Sequence, residues 1–170
     1  MLNGIKIETV IIFENIDILF DSIGENEFNS IKGGFIVWKQ FYHLVHSLDK
    51  YFIDPHNYIE PSFHKEKEMH ITNLNNDNPM EKVEIINYYN IVKNKIKNYV
   101  NSLTENDLNE IVFVGDDGNK VSKGDRILGA IRHTYYHEGY FSCFLKMEKG
   151  ETPEYLNVER YYQKIKNKKI

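Results

Sequence analysis

Residues 83–103 read VEIINYYNIVKNKIKNYVNSL, and Ile85, Tyr89, Val92, Ile96, Tyr99 and Leu103 recur in it at steps of three and four. That period draws one apolar face on an α-helix, with lysines and asparagines on the others. The pattern predicts a long amphipathic helix, with Asn78 as its N-cap and Pro79 at its first helical position. Its end falls near SLTEND, residues 102–107. Such a stripe must be buried against other elements, so the flanking segments decide the architecture.

Upstream, no period survives from Asp54 to Asn78. Pro55, Pro61 and the asparagine-rich run before Pro79 predict a long surface connection, of the kind that is a crossover or carries function. Before it, Phe35, Trp38, Tyr42, Val45 and Phe52 recur at helical spacing. The helix is firm from Trp38 onward, whereas GGFIVW at residues 33–38 also suits extended chain. Pro55 forbids its continuation. The first segment carries Ile5, Ile12, Ile16, Leu19 and Ile23 on one helical face, with Gly24 expected in the left-handed conformation that follows a last turn.

Downstream, EIVFVGDDGNKVS at residues 110–122 is a β-branched run broken by GDDG, which predicts a small hairpin. Ser122 and Asp125 have capping-box spacing, with Asp in the usual Glu position. They open a fourth long helix to about Glu148, closed by Gly150. Thr152 and Pro153 predict the start of a short further helix through residue 165. Four long amphipathic helices with one long crossover make an all-α four-helix bundle, a single domain over residues 1–170 with no internal repeat.

The net charge of −4 leaves no electrostatic footprint for nucleic acid. Lys164, Lys166, Lys168 and Lys169 read as a solvated helix end rather than an anion site. Cys143 is the sole cysteine, so no intramolecular disulfide forms. Glu8, Glu14 and Asp17 interrupt any signal-like apolar run, and no stretch has the roughly 18 apolar residues of a membrane span. The expectation is a cytoplasmic protein with neither nucleic-acid nor membrane partners.

Chemistry concentrates in IRHTYYHEGYF, residues 131–141. His133 and His137 lie at i and i+4, about 40° apart around a helix and about 6 Å along it, so both imidazoles can face one ion. A single such pair also arises by chance in a chain with 7 His, and the spacing alone leaves packed polar residues as the alternative. A third imidazole is available on the second helix, where His46 borders the stripe containing Tyr42 and Val45, with His43 one turn earlier. Helices in a bundle pack about 8–10 Å apart, close enough for a histidine of one to meet a pair on another. Three histidines around a tetrahedral metal leave one position for water or substrate.

Trp38, His46 and Asp49 on one helix, followed far downstream by His133, His137 and Gly139, resemble the pattern of the DinB/YfiT superfamily. The resemblance spans most of the chain, since residues 83–108 are similar in style to that family's third helix and the segment after it. It implies a four-helix bundle holding a mononuclear divalent metal (Zn, Ni or Fe) on His46, His133 and His137, with His43 the alternative to His46. It also implies a homodimer and a small-molecule substrate. Some members are transferases or isomerases that use low-molecular-weight thiols, and many have no assigned activity. Asp49 matches an acidic family position, expected to orient a ligand, to cap the site or to lie on the surface. The family's HHRGQ-like run is here His137, Glu138, Gly139 and Tyr140, a departure that bears on substrate contacts and leaves the metal ligands in place.

Other chemistries fit less well. A zincin needs Glu after its first histidine, where this chain has Thr134, and the inverted motif finds Tyr136 in the Glu place. The Glu-x-x-His helices of a di-iron bundle are missing. Cys143 sits on a different helical face from His137 and reads as an inert core residue. His56, His64 and His70 fall in the long connection and are expected to face solvent, with His70 or Glu68 reaching the site only if that connection folds over it. Tyr42, Tyr135, Tyr136 and Tyr140 read chiefly as packed rings, and Tyr140, at i+3 from His137, is the best placed to donate to a bound substrate. The combined reading is a metal-dependent, transferase-like enzyme with a thiol cosubstrate. The rival is a non-catalytic metal- or ligand-binding bundle protein associated with stress.

Overall fold

A computed structural model describes residues 1–32, 35–64, 70–72 and 79–167. The expectations placed on Gly33, Gly34, Glu68, Asn78, Lys168 and Lys169 lie outside the described residues. The chain is all-α, with four long helices: α1 (Leu2–Ser22), α3 (Val37–Tyr51), α4 (Lys82–Ser102) and α5 (Lys123–Lys149). Shorter elements join them: α2 (Glu25–Phe28), the two-residue strands β1 (Ile31–Lys32) and β2 (Phe35–Ile36), the strands β3 (Ile111–Val114) and β4 (Lys120–Ser122), and α6 (Val158–Asn167). By its packing the chain divides into two compact units, Met1–Ser22 with Lys97–Ile170, and Ile23–Ile96.

In the first unit α1 packs along α5 and meets α6. The stripe read from the sequence is the buried one: Ile5, Ile12, Ile16 and Leu19 are buried, as are Ile127, Ile131, Phe141 and Leu145 of α5. The capping box at the start of α5 forms as the spacing predicts. Asp125 N–H donates to Ser122 Oγ at 3.1 Å, and Ser122 N–H donates to Asp125 Oδ2 at 3.0 Å. Gly150 ends α5 at φ +76°, a left-handed conformation in which a Cβ is strained. The hairpin forms too, with Phe113 opposite Val121 and Val114 opposite Lys120. Its turn closes through Gly115 N–H to the Asn119 carbonyl at 2.8 Å and through Gly118 at φ +79°.

Three helix boundaries differ from the sequence reading. Gly24 lies at φ −71°, ψ 163°, in extended chain rather than the left-handed region. It serves as the N-cap of α2, where its N–H donates to Glu27 Oε2 at 2.8 Å. Pro79 precedes α4 without entering it: the helix begins at Lys82, capped by Glu81, whose N–H donates to Glu84 Oε2 at 2.9 Å. Thr152 and Pro153 remain non-helical, and α6 starts five residues later. Asn157 is its true cap, Oδ1 accepting from Arg160 N–H at 2.9 Å. The delay has a tertiary cause. Buried Asn15 of α1 binds both backbone groups of Leu156, accepting from its N–H at 2.7 Å and donating to its carbonyl at 3.1 Å, which holds that residue out of a helix.

In the second unit, β1 and β2 pair antiparallel ahead of α3, so of the ambiguous stretch Phe35 and Ile36 are extended and the helix begins at Val37. Trp38, Tyr42, Val45 and Phe52 are buried, and Phe28 of α2 stacks on Phe41 with ring centroids 5.4 Å apart. No regular element is present between Phe52 and Lys82 among the described residues, in keeping with the long connection expected there.

Candidate metal-binding histidines

In the first unit, His133 and His137 occupy one face of α5, and their Nε2 atoms lie 3.2 Å apart. One nitrogen donates to the other at that distance, and two nitrogens at about 2.0–2.1 Å from a tetrahedral ion are separated by about 3.3 Å, so the hydrogen-bonded pair also has the spacing of two adjacent ligands. Tyr136 sets its ring edge-on to His137, and Tyr140 stacks on Tyr136 with centroids 6.3 Å apart. Tyr135, Tyr136 and Tyr140 are all partly exposed, unlike the packed rings expected, and the Tyr135 hydroxyl bonds Glu8. Cys143 is exposed, which corrects its reading as a core residue.

Beside His137 lies a polar group not singled out from the sequence. Glu138 is buried, and its Oε2 accepts from Asn15 Nδ2 at 3.1 Å while Oε1 has no hydrogen-bond partner among the described residues. Burial pushes its carboxyl up to about 8, Asn15 offsets part of the rise, and the Glu8 charge adds to it. Its distance from Asn15 along the chain, 123 positions, is why no spacing pattern could reveal the pair.

The second unit gathers four more histidines. His46 is 1% exposed, and its Nε2 lies 2.7 Å from Glu60 Oε2. His64 Nδ1 lies 3.6 Å from the same oxygen and also hydrogen-bonds the Tyr42 hydroxyl. The His70 ring stacks on His46, centroids 4.9 Å apart and planes 11° from parallel. His64 and His70 are therefore part of a packed cluster around α3, contrary to the expectation that they face solvent. His56 is exposed as expected. Glu60 completes this cluster and was missed, because an acidic residue in an aperiodic segment carries no pattern.

His43, one turn before His46, is oriented differently. Its Nδ1 is 2.7 Å from the His70 carbonyl, an acceptor only, so Nδ1 carries the proton and Nε2 the lone pair. Metal-bound histidines commonly hold their other nitrogen this way. Burial keeps the His43 and His46 imidazoles below their ordinary value, with the hydrogen bonds to His70 and Glu60 respectively working against it. Asp49 is engaged at both oxygens, accepting from the Tyr88 hydroxyl at 2.9 Å and from Lys95 Nζ at 2.7 Å, and so ties α3 to α4.

The family model of the DinB superfamily matches residues 13–141, about three quarters of the chain. The chain belongs to the DinB superfamily. The match takes in α3, the long connection, α4 and the His133–His137 pair, so the DinB resemblance read from those residues holds over residues 13–141. No curated protein and no solved structure matches this DinB chain significantly. No helix among the described residues is long and apolar enough to cross a membrane.

Proposed function

We propose that this DinB protein is a divalent-metal enzyme, a thiol-dependent transferase or isomerase acting on a small molecule, with His133 and His137 as two of the metal's three histidine ligands. The observation that carries the reading is the 3.2 Å separation of their Nε2 atoms on one face of α5. The third imidazole comes from α3 on the strength of the family pattern. His46 matches that pattern, and the tautomer fixed by the His70 carbonyl favours His43 instead. The ligand set is three neutral imidazoles, suited to Zn, Ni or Fe.

The metal, when bound, supplies Lewis acidity that favours the anion of a thiol or water at neutral pH. The chain's own groups do the rest. His133 and His137 hold the ion with no net charge of their own, and the Tyr140 hydroxyl, half exposed one turn after His137, donates to the substrate. Asp49 keeps α3 in register with α4 through Tyr88 and Lys95. The functional unit is a homodimer, which light scattering tests directly.

Protein purified without chelators is expected to carry a divalent ion, and His133→Ala and His137→Ala to lose it. A screen of thiols against electrophiles should then show turnover that chelation abolishes. Wild-type protein without metal, together with an inert His133→Ala, overturns the reading. Tight ligand retention with no turnover points to a binding protein instead.

A further inference from the structure

Once His43 is assigned to the family site, the group formed by His46, Glu60 and His64 has no role. The three residues each offer a ligand atom, and these atoms all lie within 4.8 Å of one another. Glu60 sits between the two imidazoles, its Oε2 2.7 Å from His46 Nε2 and 3.6 Å from His64 Nδ1. We propose that His46, Glu60 and His64 form a second divalent-metal site, separate from the His133–His137 pair and contained within the Ile23–Ile96 unit.

Local structure sets the donors in place. His46 projects from the middle of α3, where Tyr58 meets its ring edge-on with centroids 5.5 Å apart and His70 stacks on it. A turn closed by His64 N–H to the Pro61 carbonyl at 2.9 Å brings His64 back toward Glu60. Two imidazoles and one carboxylate are the donor set of His₂Glu zinc sites, which keep a fourth position open. Accessibility suits an ion that enters from solvent: the His46 and His64 side chains are 2% and 6% exposed, while that of Glu60 is 43% exposed.

The protonation states fit as well. Burial raises the Glu60 carboxyl, but the hydrogen bond from His46 and the nearby imidazoles and Lys50 together outweigh it, so the group lies below its usual value and is ionised at neutral pH. Burial keeps the Tyr42 phenol protonated, and with Tyr42 donating, His64 Nδ1 presents a lone pair. Three contacts compete with an ion. His46 Nε2 carries the proton it donates to Glu60 Oε2 at 2.7 Å and gives it up when an ion binds, the Tyr42 hydroxyl occupies His64 Nδ1, and Lys50 Nζ lies 3.7 Å from Glu60 Oε1. Filled, the site would staple the segment after α3 to the helix, since two of its ligands lie in that segment and one in α3.

The inference stands apart from the family site, except that it requires His43 rather than His46 there. The test is a Zn²⁺ titration of the metal-stripped full chain, read by calorimetry and elemental analysis. Wild-type protein should bind two equivalents. Glu60→Gln and His64→Ala should each weaken one of them by about 10-fold or more while sparing the other. His133→Ala should show the reverse pattern. Tyr42→Phe, which removes the competing hydroxyl, should tighten the second equivalent. If Glu60→Gln and His64→Ala, shown by circular dichroism to be folded, retain both ions at wild-type affinity, the proposal is wrong. A single equivalent lost only in His133→Ala also overturns it. A single equivalent lost in Glu60→Gln but kept in His133→Ala upholds the second site and sinks the DinB-type one.

Discussion

Asn15 shows how much one side chain can decide. It is 1% exposed, and its amide serves Glu138 Oε2, the Leu156 carbonyl and the Leu156 N–H together. Truncation leaves three polar groups without this partner, two of them backbone, and buried groups in that state cost about 1–3 kcal/mol each where water cannot replace the bond. Asn15→Ala is therefore expected to lower stability by about 2–4 kcal/mol, seen as a fall in the urea midpoint at unchanged m-value. Asp49 invites a gentler substitution. Asp49→Asn keeps an acceptor for Tyr88 and removes the ion pair with half-exposed Lys95, a contact worth under about 1 kcal/mol. Metal content should stay at the wild-type level in that variant, and a collapse of metal binding with the fold intact would assign Asp49 to the site itself.

The ends of α5 are where local chemistry governs an element. Ser122 satisfies the Asp125 N–H at its start, and Gly150 takes the left-handed conformation at its finish. Ser122→Ala should cost about 1 kcal/mol for the lost cap, and Gly150→Ala about 1 kcal/mol for strain at φ +76°. These sites sit at opposite ends of a 27-residue helix, so in the double variant the two costs should add in chemical denaturation. Both features were legible because each depends on residues within three or four positions of one another. The other boundaries were less so. Gly24 has the composition of a C-terminal stop and serves as an N-cap, since any glycine suits both. Thr152 and Pro153 have the composition of a helix start, but Asn15 holds Leu156 extended, and a contact spanning 141 positions leaves no trace in local spacing.

At the scale of the molecule, metal should contribute to stability as well as chemistry. An ion that binds only the folded chain adds RT ln(1 + [L]/Kd), about 2.7 kcal/mol at a hundredfold excess over Kd. For a chain of this size each kcal/mol is worth about 2–4 °C. Chelation is therefore expected to lower Tm by roughly 5–10 °C in wild-type protein, and by clearly less in His133→Ala, as measured by differential scanning calorimetry. No shift on chelation in a preparation shown to contain metal would mean that the ion binds folded and unfolded chain alike.

The amino-acid sequence by itself determined the all-α class, the four long helices, the hairpin, both ends of α5 and the superfamily. Each of these rests on short-range periodicity, on a cap closed within a turn, or on the spacing of histidines and their neighbours. Only the tertiary structure decided which polar groups surround the histidines of α3. Glu60 and His64 reach His46 from an aperiodic segment, and the His70 carbonyl sets the His43 tautomer across 27 positions. The burial of Glu138 against Asn15 was decided there too. Hydrogen bonds between positions far apart in the chain depend on how the backbone returns on itself, and no periodicity in the sequence encodes that return.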